Sequence, residues 1–242
     1  MTLDELNQKF AAVPARHKEL SIIASLDDDP AQPSRRLMEI ALKSCAAAAD
    51  AALPVYEGRA SMEPHWFDTW PGEHYRLLAA LVRTLNPKIV IEVGTFTGMG
   101  TLALAQDLQP AGRLVTFDLL AWNSFGDTWL APSDFAAGRV RQVLHDISAP
   151  GGIELHRALF ESADLIFVDG PKDGITEAGI LANLATLNLS RDVVVMFDDI
   201  RVMNMADVWR RIGRPKMDLT SFGHWSGTGL VDWNGTSAMS ER

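Results

Sequence analysis

The feature of this 242-residue chain that most restricts its fold is a series of short apolar runs that end on acids and alternate with helical spacing. Lys88-Ile89-Val90-Ile91-Glu92-Val93 leads directly into Gly94, and Arg113 to Asp118, Leu165 to Asp169 and Val193 to Asp198 are built the same way. These runs are rich in β-branched residues and show no polar alternation, as expected of strands buried on both faces. A fifth strand is predicted over Arg139 to Leu144, and two more over Met217 to Phe222 and Thr228 to Asp232, around a glycine-rich loop. Helices are predicted over Glu73 to Leu85, Thr101 to Leu108, about Gly152 to Phe160, Thr176 to Leu187 and Val202 to Ile212.

Strands separated by single helices require parallel crossovers. The predicted fold is therefore α/β, a doubly wound, Rossmann-like, seven-stranded and mostly parallel sheet with a C-terminal antiparallel strand. In such sheets ligands bind beyond the carboxyl ends of the strands. That rule selects Glu92, Asp118, Asp169 and the pair Asp198-Asp199, the acids at four strand ends.

Residues 1–70 do not share this alternation. Asp27-Asp28-Asp29-Pro30 and Ala31-Gln32-Pro33 form a turn-rich break, after which Ser34 can cap a helix through Leu37, Ile40, Ala41 and Cys45. Tyr56 to Pro71 carries Trp66, Phe67 and Trp70 without periodicity. The expected organisation is an N-terminal helical extension over 1–70, serving as a lid or a dimer interface, and a binding domain over 71–242.

Bulk properties narrow the partners. The net charge of −9, with no basic run, argues against nucleic acid and anionic membranes. Apolar runs fall far short of the ~20 residues that span a bilayer. The single Cys45 excludes an internal disulfide, and the first ten residues lack an apolar signal core. The expectation is a soluble cytoplasmic protein, a homodimer, with a small-molecule substrate and no nucleic-acid or membrane partner.

The turn Glu92-Val93-Gly94-Thr95-Phe96-Thr97-Gly98-Met99-Gly100-Thr101 carries the first chemical signal. Its glycines permit a tight strand-to-helix turn and a close approach of backbone to ligand, and the helix N-terminus presents free N–H groups. The spacing is G-x-x-x-G-x-G rather than the dinucleotide G-x-G-x-x-G, and no Tyr-x-x-x-Lys segment supports a dehydrogenase. Asp118 ends the next strand, about 20 residues on, where an acid can accept hydrogen bonds from ribose hydroxyls.

Val90 to Gly98 resembles the first motif of class I methyltransferases, most closely that of the catechol and caffeoyl-CoA type of metal-dependent O-methyltransferase. The resemblance extends over roughly residues 72–235. It implies S-adenosylmethionine as cofactor, with Glu92, Gly94, Thr95, Phe96, Thr97, Gly98 and Thr101 around its methionine part, Asp118 on the ribose, Asp146 along the adenine and Asp169 near the reacting end. Asp146 also precedes a helix and can simply cap it.

Phe167-Val168-Asp169-Gly170-Pro171-Lys172 is similar to the D-x-x-K segment of the same enzymes, and Met196-Phe197-Asp198-Asp199 to their Asp-Asn pair. The resemblance implies Asp169, Asp198 and Asp199 as magnesium ligands, and Lys172 as general base with Asp169 beside it. Oxygen ligands suit a hard divalent cation, and a hydroxyl on such an ion loses its proton more readily. Lys172 beside a cation would have its charged form disfavoured. One departure is Asp199, which replaces the family's Asn. In a regular strand, Asp198 and Asp199 point to opposite faces, so both reach one ion only if the strand ends between them; otherwise Asp199 caps the following helix.

The expected function is Mg-assisted methyl transfer from S-adenosylmethionine to a hydroxyl of a small molecule, such as a natural product, a phenol or a sugar. Two alternatives stay open: a metal-independent methyltransferase of the same fold, and a non-catalytic S-adenosylmethionine-binding regulatory protein. Trp66, Trp70, His74 and Tyr75 before the first strand, and the aromatic, glycine-rich loop Phe222 to Gly229 with His224 and Trp225, are the candidate cofactor-covering and substrate-facing residues.

Overall fold

A computed structural model describes residues 31–59, 73–222 and 226–238. The helix expected after Ser34 forms as α1, Arg35–Ala49, and the Ser34 hydroxyl accepts a hydrogen bond from Leu37 N. The same hydroxyl donates to Asp232 at 2.5 Å, so one residue both caps the helix and ties it to the last strand. Then follow α2 (Glu73–Leu85), β1 (Ile89–Val93), α3 (Met99–Gln106), β2 (Arg113–Asp118), α4 (Pro132–Ala136), β3 (Val140–Leu144), α5 (Arg157–Glu161), β4 (Leu165–Val168), α6 (Thr176–Leu184), β5 (Val194–Asp198), α7 (Met205–Arg211), β6 (Lys216–Asp218) and β7 (Thr228–Asp232).

The strands form one seven-stranded sheet in the order β3-β2-β1-β4-β5-β7-β6. The first five are parallel, and β7 runs antiparallel to both β5 and β6. The chain starts in the middle, winds outward through β2 and β3, then returns to β4. The order therefore reverses beside β1, and this switch point opens a crevice at the strands' carboxyl ends.

Alternate residues of each strand feed two cores. Val90, Leu114, Leu165, Phe167, Val194 and Met196 face Leu37, Leu77, Leu81 and Leu102 of α1, α2 and α3. Ile91, Val115, Phe117, Ile166, Val195 and Phe197 face Phe160, Ile180, Leu184, Val208 and Trp209 of α5, α6 and α7. With both faces covered, the central strands have no need of polar alternation, which is why they read as unbroken apolar runs. Each fully buried side chain of this size contributes about 1.5–3 kcal/mol.

Several expected elements are shorter. The helix expected over Val202 to Ile212 begins at Met205, because Asp199 and Met203 both take left-handed backbone and spend the intervening residues on turns. The strand expected over Met217 to Phe222 stops at Asp218, whose carboxylate turns back to accept from Thr220 N at 2.8 Å and from its hydroxyl, a local bond that competes with the ladder. The helix expected over Gly152 to Phe160 is a 3-10 turn, Glu154–His156, followed by α5. The stretch between β2 and β3, for which no element was expected, holds a 3-10 turn at Trp122–Ser124 and α4. Among the described residues no helix is long and apolar enough to cross a membrane.

The expected extension over 1–70 is described only between 31 and 59. There α1 packs with Leu37 and Ala41 fully buried in the first core. Trp66, Phe67, Trp70, His224 and Trp225 lie outside the described residues.

Candidate active site

The glycine turn is held by close contacts with the end of β4 and with Leu130. Gly94 has φ 102°, and a Cβ placed there would lie 2.0 Å from the Asp169 carbonyl oxygen. The turn therefore presses against the end of β4, and only glycine fits. Gly98 starts α3 in left-handed conformation, where a Cβ would meet Leu130 at 2.2 Å. Between them, the Thr95 hydroxyl shares a 2.7 Å hydrogen bond with that of Thr116 on β2. The Thr97 carbonyl accepts from Trp129 N at 2.9 Å. Phe96 has φ 43°, is 61% exposed, and stands edge-on to Phe125.

Asp118, at the end of β2, is already oriented. One carboxylate oxygen accepts from Phe96 N at 2.9 Å and the other from Leu120 N at 3.0 Å. A carboxylate held by two N–H groups keeps lone pairs for further donors, so the acid can receive a diol without reorganising. Asp118 lines a cavity of about 680 Å³ together with Gly94, Phe96, Leu119, Ile147 and Asp169. Asp146 lines it too, but one of its oxygens accepts from Ser148 N at 2.9 Å, from the Ser148 hydroxyl at 2.6 Å and from Ala149 N at 3.2 Å. These bonds close a local turn and cap no helix, since the next helical element has Ile153 at its cap position, and Asp146 keeps its place on the cavity wall.

Glu92 and Thr101 occupy a different place from the one expected. Glu92 is fully buried on the face toward α3, beside Thr116 in the sheet register, and the Thr101 hydroxyl donates to it. Neither residue lines the cavity along β2 or the one beyond the turn. They join strand to helix behind the turn. Burial pushes the Glu92 carboxyl up to about 8; hydrogen bonds from Thr101 and Thr116 oppose the rise, and the charges of Asp169 and Asp118 add to it.

A second cavity, of about 400 Å³, lies on the other side of the turn. Its walls include Tyr75, Met99, Trp129 and Val202, and its end is formed by Asp169, Asp198 and Asp199. The Tyr75 hydroxyl lies 3.7 Å from the Met99 sulfur, and the Tyr56 hydroxyl donates to the Met99 carbonyl at 2.9 Å, which fixes this wall. The two cavities share Gly94, Phe96 and Asp169. Trp129, Met99 and Tyr56 carried no distinguishing signal in the sequence. An aromatic or methionine at such positions is ordinarily core.

The three acids converge because β5 ends between the last two. Asp198 has the strand parity of Val194 and Met196 and is 6% exposed. Asp199 would face the other way, but its φ of 54° takes it out of the strand and turns its side chain back. Its carboxylate accepts from the Ser226 hydroxyl and lies 3.0 Å from Lys172 Nζ. The helix after it starts with Asn204 at its cap position, so Asp199 does not serve as the cap. Asp169, Asp198 and Asp199 each bring an oxygen within 4.8 Å of the others. Asp198 Oδ1 has His74 Nδ1 at 3.4 Å and accepts no hydrogen bond among the described residues. A buried, underused oxygen beside two further carboxylates is a donor set that fits a hard cation.

Lys172 lies among these acids. Its Nζ contacts Asp169 and lies 3.0 Å from Asp199 and 3.8 Å from Asp198. Burial disfavours its ammonium, but the charges of Asp169, Asp198 and Asp199 outweigh burial and raise its proton affinity above that of a free lysine. The protein's own charges therefore act opposite to the direction expected beside a metal ion. Asp198 is pushed up by burial and then by Asp169 and Asp199, with Lys172 opposing. Glu177, 1% exposed, was not singled out in the sequence; it holds the Lys172 loop by accepting from Lys172 N at 2.8 Å and Gly174 N at 3.0 Å. An acid in the first turn of a helix reads as a partner for the helix dipole, and that ordinary reading hid it.

Residues 91–200 match a family model described as a methyltransferase domain. The match to a methyltransferase domain covers somewhat less than half of the chain. The matched segment contains every residue expected at the cofactor and cation sites, from Glu92 to Asp199. A search of curated protein sequences finds no match. Among solved structures, the chain is similar to the O-methyltransferase TomG from Streptomyces achromogenes, at 23% identity over 78% of this chain and 88% of that one, with a TM-score of 0.46. It is similar to an O-methyltransferase from Bacillus cereus at 19% identity, over 79% and 89%, with a TM-score of 0.46. A methyltransferase from Podospora anserina, PaMTH1, matches at 14% identity over 96% and 97%, with a TM-score of 0.44.

Proposed function

We propose that this methyltransferase domain uses S-adenosylmethionine and transfers its methyl group to a hydroxyl of a small molecule. The observation that carries the reading is the meeting of two cavities at Gly94, Phe96 and Asp169. One runs along the ends of β2 and β3 and contains a pre-oriented acid, as an adenosine requires. The other is lined by three carboxylates, which can hold a cation or take a proton beside an acceptor oxygen.

S-adenosylmethionine supplies an electrophilic methyl group on a sulfonium. The chain's part is chiefly alignment, because holding two reactants in register replaces a bimolecular encounter. Asp118 receives the ribose hydroxyls. The Gly94–Gly98 turn sets the depth at which a ligand meets the backbone. Asp169 borders both cavities and faces the place where acceptor and donor meet. Two groups there can take the acceptor's proton, Asp169 and Lys172. Lys172 does so only after its ammonium has left the carboxylates and has given up its own proton to solvent.

Asp169, Asp198 and Asp199 would hold a divalent cation such as Mg2+, which would supply a Lewis acid that makes a bound hydroxyl more acidic. A metal-independent enzyme is the second reading, favoured by the Lys172 ammonium already seated among the acids.

Calorimetry tests the cofactor: heat with S-adenosylmethionine and none with NAD is expected, and silence with S-adenosylmethionine would remove the proposal. Mass spectrometry of a panel of phenols, sugars and hydroxylated natural products, with and without EDTA, then reads the acceptor and the metal requirement. Full activity in chelator eliminates metal assistance.

A further inference from the structure

We propose that Lys172 is the resident cation of the Asp169, Asp198 and Asp199 cluster, and that a divalent ion enters only by displacing its ammonium. This deepens the function proposed above and rests on it only for the purpose of the cluster. The position of the ammonium is a matter of geometry.

The three carboxylates bring oxygens within 4.8 Å of one another. Lys172 Nζ touches Asp169 and lies 3.0 Å from Asp199 and 3.8 Å from Asp198. A small divalent ion binds carboxylate oxygens at roughly 2.0–2.6 Å. An ion shared by all three acids therefore needs the space that Nζ fills. The two cations also repel at such a distance, so simultaneous occupation is disfavoured.

The seat is built. Lys172 has φ 63° and Asp199 φ 54°, conformations that non-glycine residues hold only where their surroundings enforce them. Glu177 enforces the first by accepting from Lys172 N and Gly174 N. Asn204 adds a 2.7 Å hydrogen bond from its side chain to the Asp173 carbonyl. Ser226 enforces the second by donating to Asp199. Both strained residues thus aim their charged ends at each other. Lys172 also lines the cofactor-side cavity, and its unbranched stem gives the ammonium an alternative position along that wall.

The test is Mn2+ binding to the full chain, without cofactor or acceptor, by calorimetry and by the electron paramagnetic resonance of free Mn2+. Lys172→Met and Lys172→Gln are compared with wild type. Affinity is expected to rise roughly tenfold or more in both variants, because an ammonium within about 4 Å of the ion no longer opposes it. Arg201→Gln removes a charge from the same end of the molecule, where Arg201 pairs with Asp218 at 2.9 Å, and is expected to leave affinity unchanged. Without their counter-ion the Lys172 variants should melt below wild type and recover on addition of Mg2+. The proposal is overturned by wild-type binding as tight as that of the Lys172 variants, by an equal gain in Arg201→Gln, or by Lys172 variants that no ion stabilises. Binding of S-adenosylhomocysteine, measured in the same preparations without metal, reports on the cofactor reading separately.

Discussion

Replacing Glu92 by glutamine is expected to stabilise the protein increasingly as pH rises, while leaving cofactor affinity nearly unchanged. Glu92 is fully buried, with the Thr101 and Thr116 hydroxyls as hydrogen-bonding neighbours, and one of its oxygens accepts no hydrogen bond among the described residues. Burial is the largest cause that lifts its pKa from an ordinary 4.5 to about 8. The sign follows from proton uptake. Between those two values the folded chain holds a proton that the unfolded chain has lost. The stability tied to that proton is fully present below about 4.5 and is lost as pH rises through about 8. At 1.36 kcal/mol per pH unit the loss is on the order of 3–5 kcal/mol by pH 9, a large share of the roughly 5–15 kcal/mol that holds a domain together. Glutamine keeps the shape and an acceptor for Thr101, but has no proton to lose. Urea unfolding of both proteins at intervals from pH 5 to pH 9 measures the difference directly. Parallel stability profiles across that range would refute the assignment of a buried, neutral Glu92. Affinity for S-adenosylhomocysteine adds a second reading: a loss of roughly tenfold, about 1.4 kcal/mol, would return Glu92 to the cofactor, where its motif position had placed it.

Asp118→Ala should lower S-adenosylhomocysteine affinity about tenfold or more in calorimetry, since hydrogen bonds to a charged acceptor contribute roughly 1.5–3 kcal/mol each; unchanged affinity would detach Asp118 from the ribose. Gly94→Ala should lower the melting temperature by an amount equivalent to about 2 kcal/mol or more, because it adds a Cβ 2.0 Å from the Asp169 carbonyl at a φ of 102°. Wild-type melting would show that the turn does not press on β4. Glu177→Gln replaces a carboxylate that accepts from two backbone N–H groups with an amide that has one acceptor oxygen. Amide exchange at Lys172 or Gly174 should then quicken by about tenfold, the loss of one hydrogen bond of roughly 1.5 kcal/mol, and equal protection would contradict the clamp.

Much of the fold was legible because its signals are local. Glu73–Leu85, Arg113–Asp118 and Thr228–Asp232 form over the residues their spacing predicts. Double-sided burial explains the unbroken apolar runs of β1, β4 and β5, and runs of that kind separated by single helices leave few topologies open. The misjudged ends share one cause. Asp218 folds onto Thr220, and Asp199 and Met203 take left-handed backbone. Each is a side-chain or turn preference that overrides the ladder or helix, and periodicity does not report it. The segment between β2 and β3 stayed unread because Trp122, Phe125 and Trp129 sit in it without a helical or alternating period.

The site divides along a similar line. Glycine spacing and an acid one strand later carry their meaning in sequence distance, and the structure places Gly94 and Asp118 on one cavity wall. Side-chain direction depends on strand parity and on φ. Glu92 shares the parity of Val90, faces α3 and leaves the cavity to its neighbours. Asp198 and Asp199 have opposite parity and would diverge, were it not that β5 ends at Asp198 and a φ of 54° reverses Asp199. The same positive φ recurs at Lys172, held by Glu177 from a helix five residues on. Two backbone conformations that no pattern announces thus decide whether four charged residues are scattered loop side chains or one site. They decide as well that the site contains a cation of its own, which any metal-dependent chemistry at these acids has to displace.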